Sequence, residues 1–166
     1  MKTDNNAPAT VASVDLSRYL GTWFEIARLP MRHEPEEFTD ITAQYSLQGD
    51  GKVRVRNRAL DGKGELQESV GEATVVDAGN SKLEVTFLPE GLRWIPFTKG
   101  DYWILEIDPD YTTALVGSPD RKFLWLLSRQ PQLDEATVQH YLAHARGQGF
   151  DLTDLIHTPH TGRPTA

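Results

Sequence analysis

The sequence predicts an all-β domain, an eight-stranded antiparallel up-and-down barrel with one C-terminal α-helix packed outside it. Three observations carry that expectation. Short runs of strand-forming residues recur between Gly21 and Ser128, separated by turn chemistry every few residues. Three of these runs, around Trp23, Tyr102 and Phe123, are apolar on both faces, so they need cover outside the barrel as well as a core inside it. A single amphipathic stretch, after Asp134, is available to supply that cover.

The strands follow in order. Trp23–Arg28 is the first. Thr42–Leu47 and Val53–Ala59 flank Gln48-Gly49-Asp50-Gly51-Lys52, an Asp-Gly hairpin signal. Glu68–Val76 follows the Asp61–Gly64 turn, and Leu83–Leu88 follows the Asp77–Lys82 turn. A longer insert, Pro89–Gly100, precedes Tyr102–Ile107. Thr113–Val116 and Phe123–Ser128 come after two more turns. In Val53–Ala59, Val53, Val55 and Ala59 share one face, and Arg54, Arg56 and Arg58 share the other, as a half-solvated strand requires. The helix is capped by Asp134, buries Val138, Tyr141, Leu142 and Ala145, and stops at Gly147 and Gly149. Residues 1–13 read as a flexible leader, 14–157 as the domain and 158–166 as an irregular tail.

Composition excludes several functions. A net charge of −7 over 166 residues lacks the basic stripe of a nucleic-acid binder. Without cysteine there is neither a disulfide framework nor a thiolate metal site. No Gly-x-Ser-x-Gly elbow, P-loop or dinucleotide fingerprint marks an enzyme or calls for a cofactor. His140 and His144 are spaced as half of a zinc site, with no third ligand evident. The opening residues carry no apolar signal core. That places the chain in the cytoplasm if it is the natural product.

Alternation nominates what lies inside. Arg129 shares the parity of Phe123, Trp125 and Leu127, so it points inward at the end of the last strand. A charge there needs a partner. If the first and last strands adjoin, its guanidinium lies over the indole of Trp23, a contact worth about 0.5–2 kcal/mol. Taking Trp23 as inward places Glu25 and Ala27 inside as well. The apolar faces add Tyr45, Asn57, Val85 and Phe87. The strand at Tyr102 has ambiguous parity. A barrel of this size holds packed side chains or one small ligand. The aromatics Phe87, Tyr102, Phe123 and Trp125 therefore either fill it or line a cavity.

The segments GTWFEIARLP, GDYWILEIDPDYTTALVGSPDRKFLWLLSR and GFDLTDL resemble the lipocalin family. The motif residues are Gly21 and Trp23, then Asp110 and Tyr111, then Arg129, in that order. LRWIPFTKGDYW is similar to the bacterial outer-membrane branch, which is related to plant temperature-induced lipocalins and apolipoprotein D. The lipobox cysteine usual in the bacterial branch is missing here. The resemblance implies a non-enzymatic carrier of a fatty acid or lysophospholipid that serves membrane maintenance under stress. It implies outer-membrane or periplasmic residence if a signal segment has been removed. It also favours Tyr102, Ile104 and Val116 as inward-facing, and points to Trp125 and the region of Lys99 as ligand contacts. Two alternatives stay open. One is a lipid-modifying enzyme on the same barrel. The other is a surface module whose aromatic insert touches a partner or a membrane.

Overall fold

A computed structural model describes residues 7–30, 38–87 and 99–162. The insert that carries Arg93, Trp94, Ile95 and Phe97 lies outside the described residues, as does the side chain of Lys99. A single helical turn, α1 (Leu16–Tyr19), leads into β1 (Gly21–Arg28). The barrel continues through β2 (Thr39–Leu47), β3 (Val53–Leu60), β4 (Leu66–Val75) and β5 (Lys82–Phe87). It is completed by β6 (Lys99–Ile107), β7 (Thr113–Gly117) and β8 (Leu124–Ser128). Each strand pairs antiparallel with the next, and β1 pairs with both β2 and β8, so the sheet closes. Closure removes the free edges that an open eight-stranded sheet would present. After the barrel come α2 (Glu135–Gly147) and a short strand, β9 (Ile156–His157), paired with β1.

Two cores lie on opposite sides of one wall. The inner core gathers Trp23, Tyr45, Val55, Ala73, Val85, Ile104, Ala114 and Leu127. The outer core places Val138, Tyr141, Leu142 and Ala145 of α2 against Ala27, Leu105, Leu115, Leu124 and Leu126. The two-faced strands are thus the ones the helix covers, as their composition required. The side chain of Asp134 accepts from the Thr137 amide at 3.0 Å and caps α2.

Besides a register shift between Thr39 and Thr42 of β2, two β-bulges, in β1 and β6, adjust which residues face inward. One falls between Glu25 and Ala27, the other between Ile104 and Glu106. A bulge puts an extra residue into one strand and shifts the alternation by one. Ala27, expected inside, therefore packs in the outer core beneath α2, while Arg28 is paired with Trp125 and fully buried. On β6 the bulge leaves Tyr102 and Ile104 with the inner core and turns Leu105 and Glu106 to the helix.

One end of the barrel is sealed by the motif residues. The Arg129 guanidinium lies 3.9 Å from the centre of the Trp23 ring. It donates to the carbonyls of Arg18 (2.7 Å), Thr22 (3.1 Å) and Tyr111 (3.1 Å). The indole N–H of Trp23 donates to the carbonyl of Tyr19 at 2.8 Å. Gly21 is needed for two reasons: its φ is +105°, and a Cβ there would stand 3.2 Å from Arg129 Nη1. The Tyr111 hydroxyl accepts from the Asp15 amide, and the Arg18 guanidinium covers its ring. Asp110 is exposed, and the carboxylate that organises this turn is Asp108 instead. Burial alone would raise the Asp108 pKa, but hydrogen bonds from Thr112 and Thr113 outweigh it and hold the group below the usual carboxylate range.

The chain before and after the barrel is tied to it. In the stretch expected as a leader, the Val11 amide donates to the Ile104 carbonyl, and just after it the Val14 amide donates to that of Gly79. Gln148 bonds both the amide and the carbonyl of Ala9. Trp23→Ala should destabilise the protein by about 3–5 kcal/mol, and Arg129→Ala by less. Because the two groups touch, a double-mutant cycle in denaturant should show coupling of about 1 kcal/mol or more. Coupling within error of zero would remove the stacked pair as the seal.

Candidate functional site

The lumen is built from the inward positions of all eight strands. Register sets Tyr45 opposite Val55, Ala43 opposite Asn57, and Asn57 opposite Ser69. Val85 stands opposite Ala73, and Phe87 opposite Gly71. A Cβ on Gly71 would come within 2.9 Å of the Phe87 ring, so the missing side chain is what lets that ring lie against the wall. Phe123 and Trp125 stack in parallel, 6.0 Å apart with 5° between planes.

Exposure sorts these residues. Ile104 and Val116 are completely sealed and belong to the packed wall. Tyr45, Val85 and Phe87 are buried. Asn57, Tyr102, Phe123 and Trp125 remain only half-buried although they belong to the inner side of the barrel. These aromatics are therefore not part of the fully packed interior.

At the sealed end lies a small chamber of about 20 Å³, lined among others by Tyr19, Tyr45, Val55, Ala73, Val85 and Tyr102. That is room for about one water. Three tyrosine hydroxyls converge beside it. Tyr102 Oη is 2.6 Å from Tyr19 Oη and 2.8 Å from Tyr45 Oη. Burial raises the pKa of all three, so they stay neutral phenols. Tyr19 had no nomination from strand alternation, because it sits on α1 and enters the barrel from below.

Farther from the seal, Glu25 points inward as expected, but it is engaged. Its Oε2 accepts from Arg28 Nη1 at 3.0 Å and from the Thr158 hydroxyl at 2.6 Å. Glu25 and Arg28 are nearly or fully buried. Burial pushes the Glu25 pKa up, while Arg28 and Thr158 pull against that rise. Alternation missed Arg28 because of the bulge. A cationic side chain three residues after a buried acid was the available signal.

Thr158 belongs to the tail expected to be irregular. β1 and β2 pair only over Gly21–Phe24 and Thr42–Tyr45. Beyond that they part, and residues 156–161 occupy the gap. The Thr158 amide donates to the Ile26 carbonyl, the Asp40 amide to that of Pro159, and the Thr161 amide to the Asp40 carboxylate. His160 Nε2 lies 2.7 Å from the Glu25 carbonyl oxygen. The tail is thus a strap across an opening in the wall, and its hydroxyl completes an ion pair inside the barrel.

On the outer wall, His140 and His144 both face Glu106, at 3.0 and 3.3 Å. Among the described residues, no group of three or more His, Cys, Asp or Glu side chains is arranged to hold a metal ion. No helix of the described residues is long and apolar enough to cross a membrane.

Comparison with known proteins fits this architecture. The family described as a lipocalin-like domain matches residues 14–160. Temperature-induced lipocalin-1 of Arabidopsis thaliana is 38% identical over 164 residues, covering 98% of this chain and 88% of the relative. Outer membrane lipoprotein Blc of Escherichia coli K12 is 39% identical over 148 residues, covering 88% of this chain and 79% of its own. Apolipoprotein D of Mus musculus is 30% identical over 166 residues, covering 95% and 83%. Among solved structures, lobster apocrustacyanin A1 superposes with a TM-score of 0.68 at 16% identity, covering 95% of this chain and 93% of its own, a likeness of fold alone.

The strap yields a test. Thr158→Val leaves the buried Glu25 carboxylate without its hydroxyl partner and should cost about 1–3 kcal/mol, whereas Thr158→Ser should recover most of that. Equal denaturation midpoints for the valine variant and wild type would show that the hydroxyl does not support the ion pair.

Proposed function

The chain belongs to the lipocalin family, whose barrels hold small hydrophobic ligands, and from that premise we propose that it carries one long-chain fatty acid or lysophospholipid in its lumen without turning it over. The observation that carries this reading is the half-buried state of Phe123, Trp125 and Tyr102 on the inner side of the wall. Two stacked aromatic rings and an apolar lower chamber suit an acyl chain, and Asn57 adds one polar contact. The anionic head belongs at the open end, where β6 begins. Among the described residues, no group in the lumen supports turnover. The buried acid, Glu25, is held by Arg28 and Thr158, and the tyrosines are kept neutral. The Escherichia coli relative is named as an outer membrane lipoprotein and the plant relative for induction by temperature. They support service at a bacterial envelope membrane, with peripheral membrane contact, under stress.

Apolar burial drives such binding at about 0.8 kcal/mol per methylene fully removed from water. Affinity for saturated fatty acids should therefore rise with chain length and level off once the tail meets the tyrosines. Binding should quench or shift the indole emission at a stoichiometry of about one per barrel. Ala73→Trp, at the lower chamber, should shorten the optimal chain while leaving the protein folded. Ala43→Trp, farther up the same wall, should block long chains altogether. A folded Ala43→Trp variant with unchanged affinity would place the lipid outside the barrel and end the carrier reading.

A further inference from the structure

The side chain of Gln148, just past the end of α2, stands between two partners and can satisfy both in one arrangement only. Its Oε1 accepts from the Ala9 amide at 3.0 Å, and its Nε2 donates to the Ala9 carbonyl at 3.1 Å. This paired contact with both backbone groups of one residue fixes which end of the amide is which. The exchanged orientation would set N–H against N–H and oxygen against oxygen. The second proton on Gln148 Nε2 is left for His144 Nε2, 3.4 Å away.

A ring nitrogen that receives a proton from an amide holds none of its own. The clasp on Ala9 therefore requires a neutral His144 with its proton on Nδ1, the nitrogen that faces Glu106 Oε1 at 3.3 Å. A further proton, on Nε2, sets two donors against each other. Gln148 then withdraws, or it turns its amide over and accepts from His144 with Oε1. Either way both Ala9 bonds break. Gln148 serves Ala9 or a protonated His144, never the two together.

The other polar and charged groups around His144 are the same whether Ala9 is held or not. Glu106 stands on β6, and His140, one turn earlier on α2, faces the same carboxylate at 3.0 Å. The last carbonyls of α2 favour a cation near them. Arg146 is exposed, and Arg121, from the turn between β7 and β8, donates to the Gln148 carbonyl. These groups act on His144 equally in the held and the released state. The contact of Gln148 with Ala9 is what makes the two states differ in proton affinity. Because the held state excludes the proton, the clasp is at full strength while His144 is neutral and weakens as pH falls.

We propose that His144 and Gln148 form a proton-controlled catch for the N-terminal segment: acidification charges His144, turns Gln148 from Ala9 and frees Ala9 with the buried Pro8 before it. Release stops at the next anchors, the Val11 amide on the Ile104 carbonyl and the Val14 amide on the Gly79 carbonyl, which are backbone bonds with no titrating partner. The catch lies outside the barrel and does not depend on what the lumen holds.

The test is nuclear magnetic resonance of isotope-labelled protein across the range in which imidazoles titrate, from about pH 8 to about pH 5. At the alkaline end the ring nitrogens of His144 should report a proton on Nδ1; a proton on Nε2 there would overturn the inference. As His144 charges, the Ala9 amide and the Gln148 side-chain amide should shift together with the same midpoint. The released population of Ala9 should rise about tenfold, the scale of one or two net hydrogen bonds. The Val11 and Val14 amides should stay in place. His144→Gln sets an acceptor that does not titrate beside Gln148 and should hold Ala9 at the acid end. His140→Gln leaves the catch whole and should release Ala9 as the wild type does. Ala9 held throughout in the wild type while His144 charges would overturn the inference, and so would release that persists in His144→Gln.

Discussion

Arg129 is the group on which the architecture turns. A closed barrel needs its first and last strands to meet, and one cation supervises that seam. Its face lies on the Trp23 indole, and its N–H groups reach carbonyls of α1, β1 and the turn before β7. None of these partners carries a negative charge. The guanidinium is held by carbonyl dipoles and a ring quadrupole, which a planar fork of donors satisfies and an ammonium would not. Its pKa falls through partial burial, yet it stays charged. By fixing α1 beneath the barrel, the same contact delivers Tyr19 to Tyr45 and Tyr102. The seal and the floor of the lumen are thus one construction, and whatever loosens Arg129 also loosens the end of the binding site.

The second constraint is that one stretch of wall must serve two cores. Strands β1, β6, β7 and β8 face the lumen on one side and α2 on the other. Strict alternation offers the helix only every second residue. The bulges at Ile26 and Leu105 give it two consecutive residues, Ile26 with Ala27 and Leu105 with Glu106. They also increase local twist, which helps a small barrel close. The price is a change of parity, and it moves Arg28 into the interior, where it pairs with Glu25 and hydrogen-bonds the Thr158 hydroxyl. A buried pair of this kind is weak evidence for stability, since desolvation offsets much of the attraction. Its clearer consequence is to tie the C-terminal strap to β1 and so shut the gap beside β2.

Much of this was legible in the sequence, for physical reasons that also mark where legibility ended. The eight strands, the helix and its buried face follow from periodicities of two and of about three and a half residues, which are local. The contact between Trp23 and Arg129 was legible because a charge on an apolar face demands a partner. Ala27 was misplaced because a bulge costs one residue and leaves no local mark in Glu25-Ile26-Ala27. Asp110 was taken as a motif residue, yet Asp108 two positions earlier holds the turn, a choice set by loop geometry. Tyr19 and Thr158 escaped because each acts from outside the strand pattern, on a short turn and on a tail whose partners are more than a hundred residues away. The half-exposed state of Trp125 and Tyr102, on which the functional reading depends, is a property of the closed barrel and of no single segment.

The measurement that bears most directly on the account is a crystal structure of the protein with a bound long-chain fatty acid. The account predicts acyl density inside the barrel, running past Phe123 and Trp125 and ending above Tyr19, Tyr45 and Tyr102, with Arg129 still stacked on Trp23. Density lying along the outer wall or in the gap spanned by residues 156–161, with the tyrosines untouched, would contradict it.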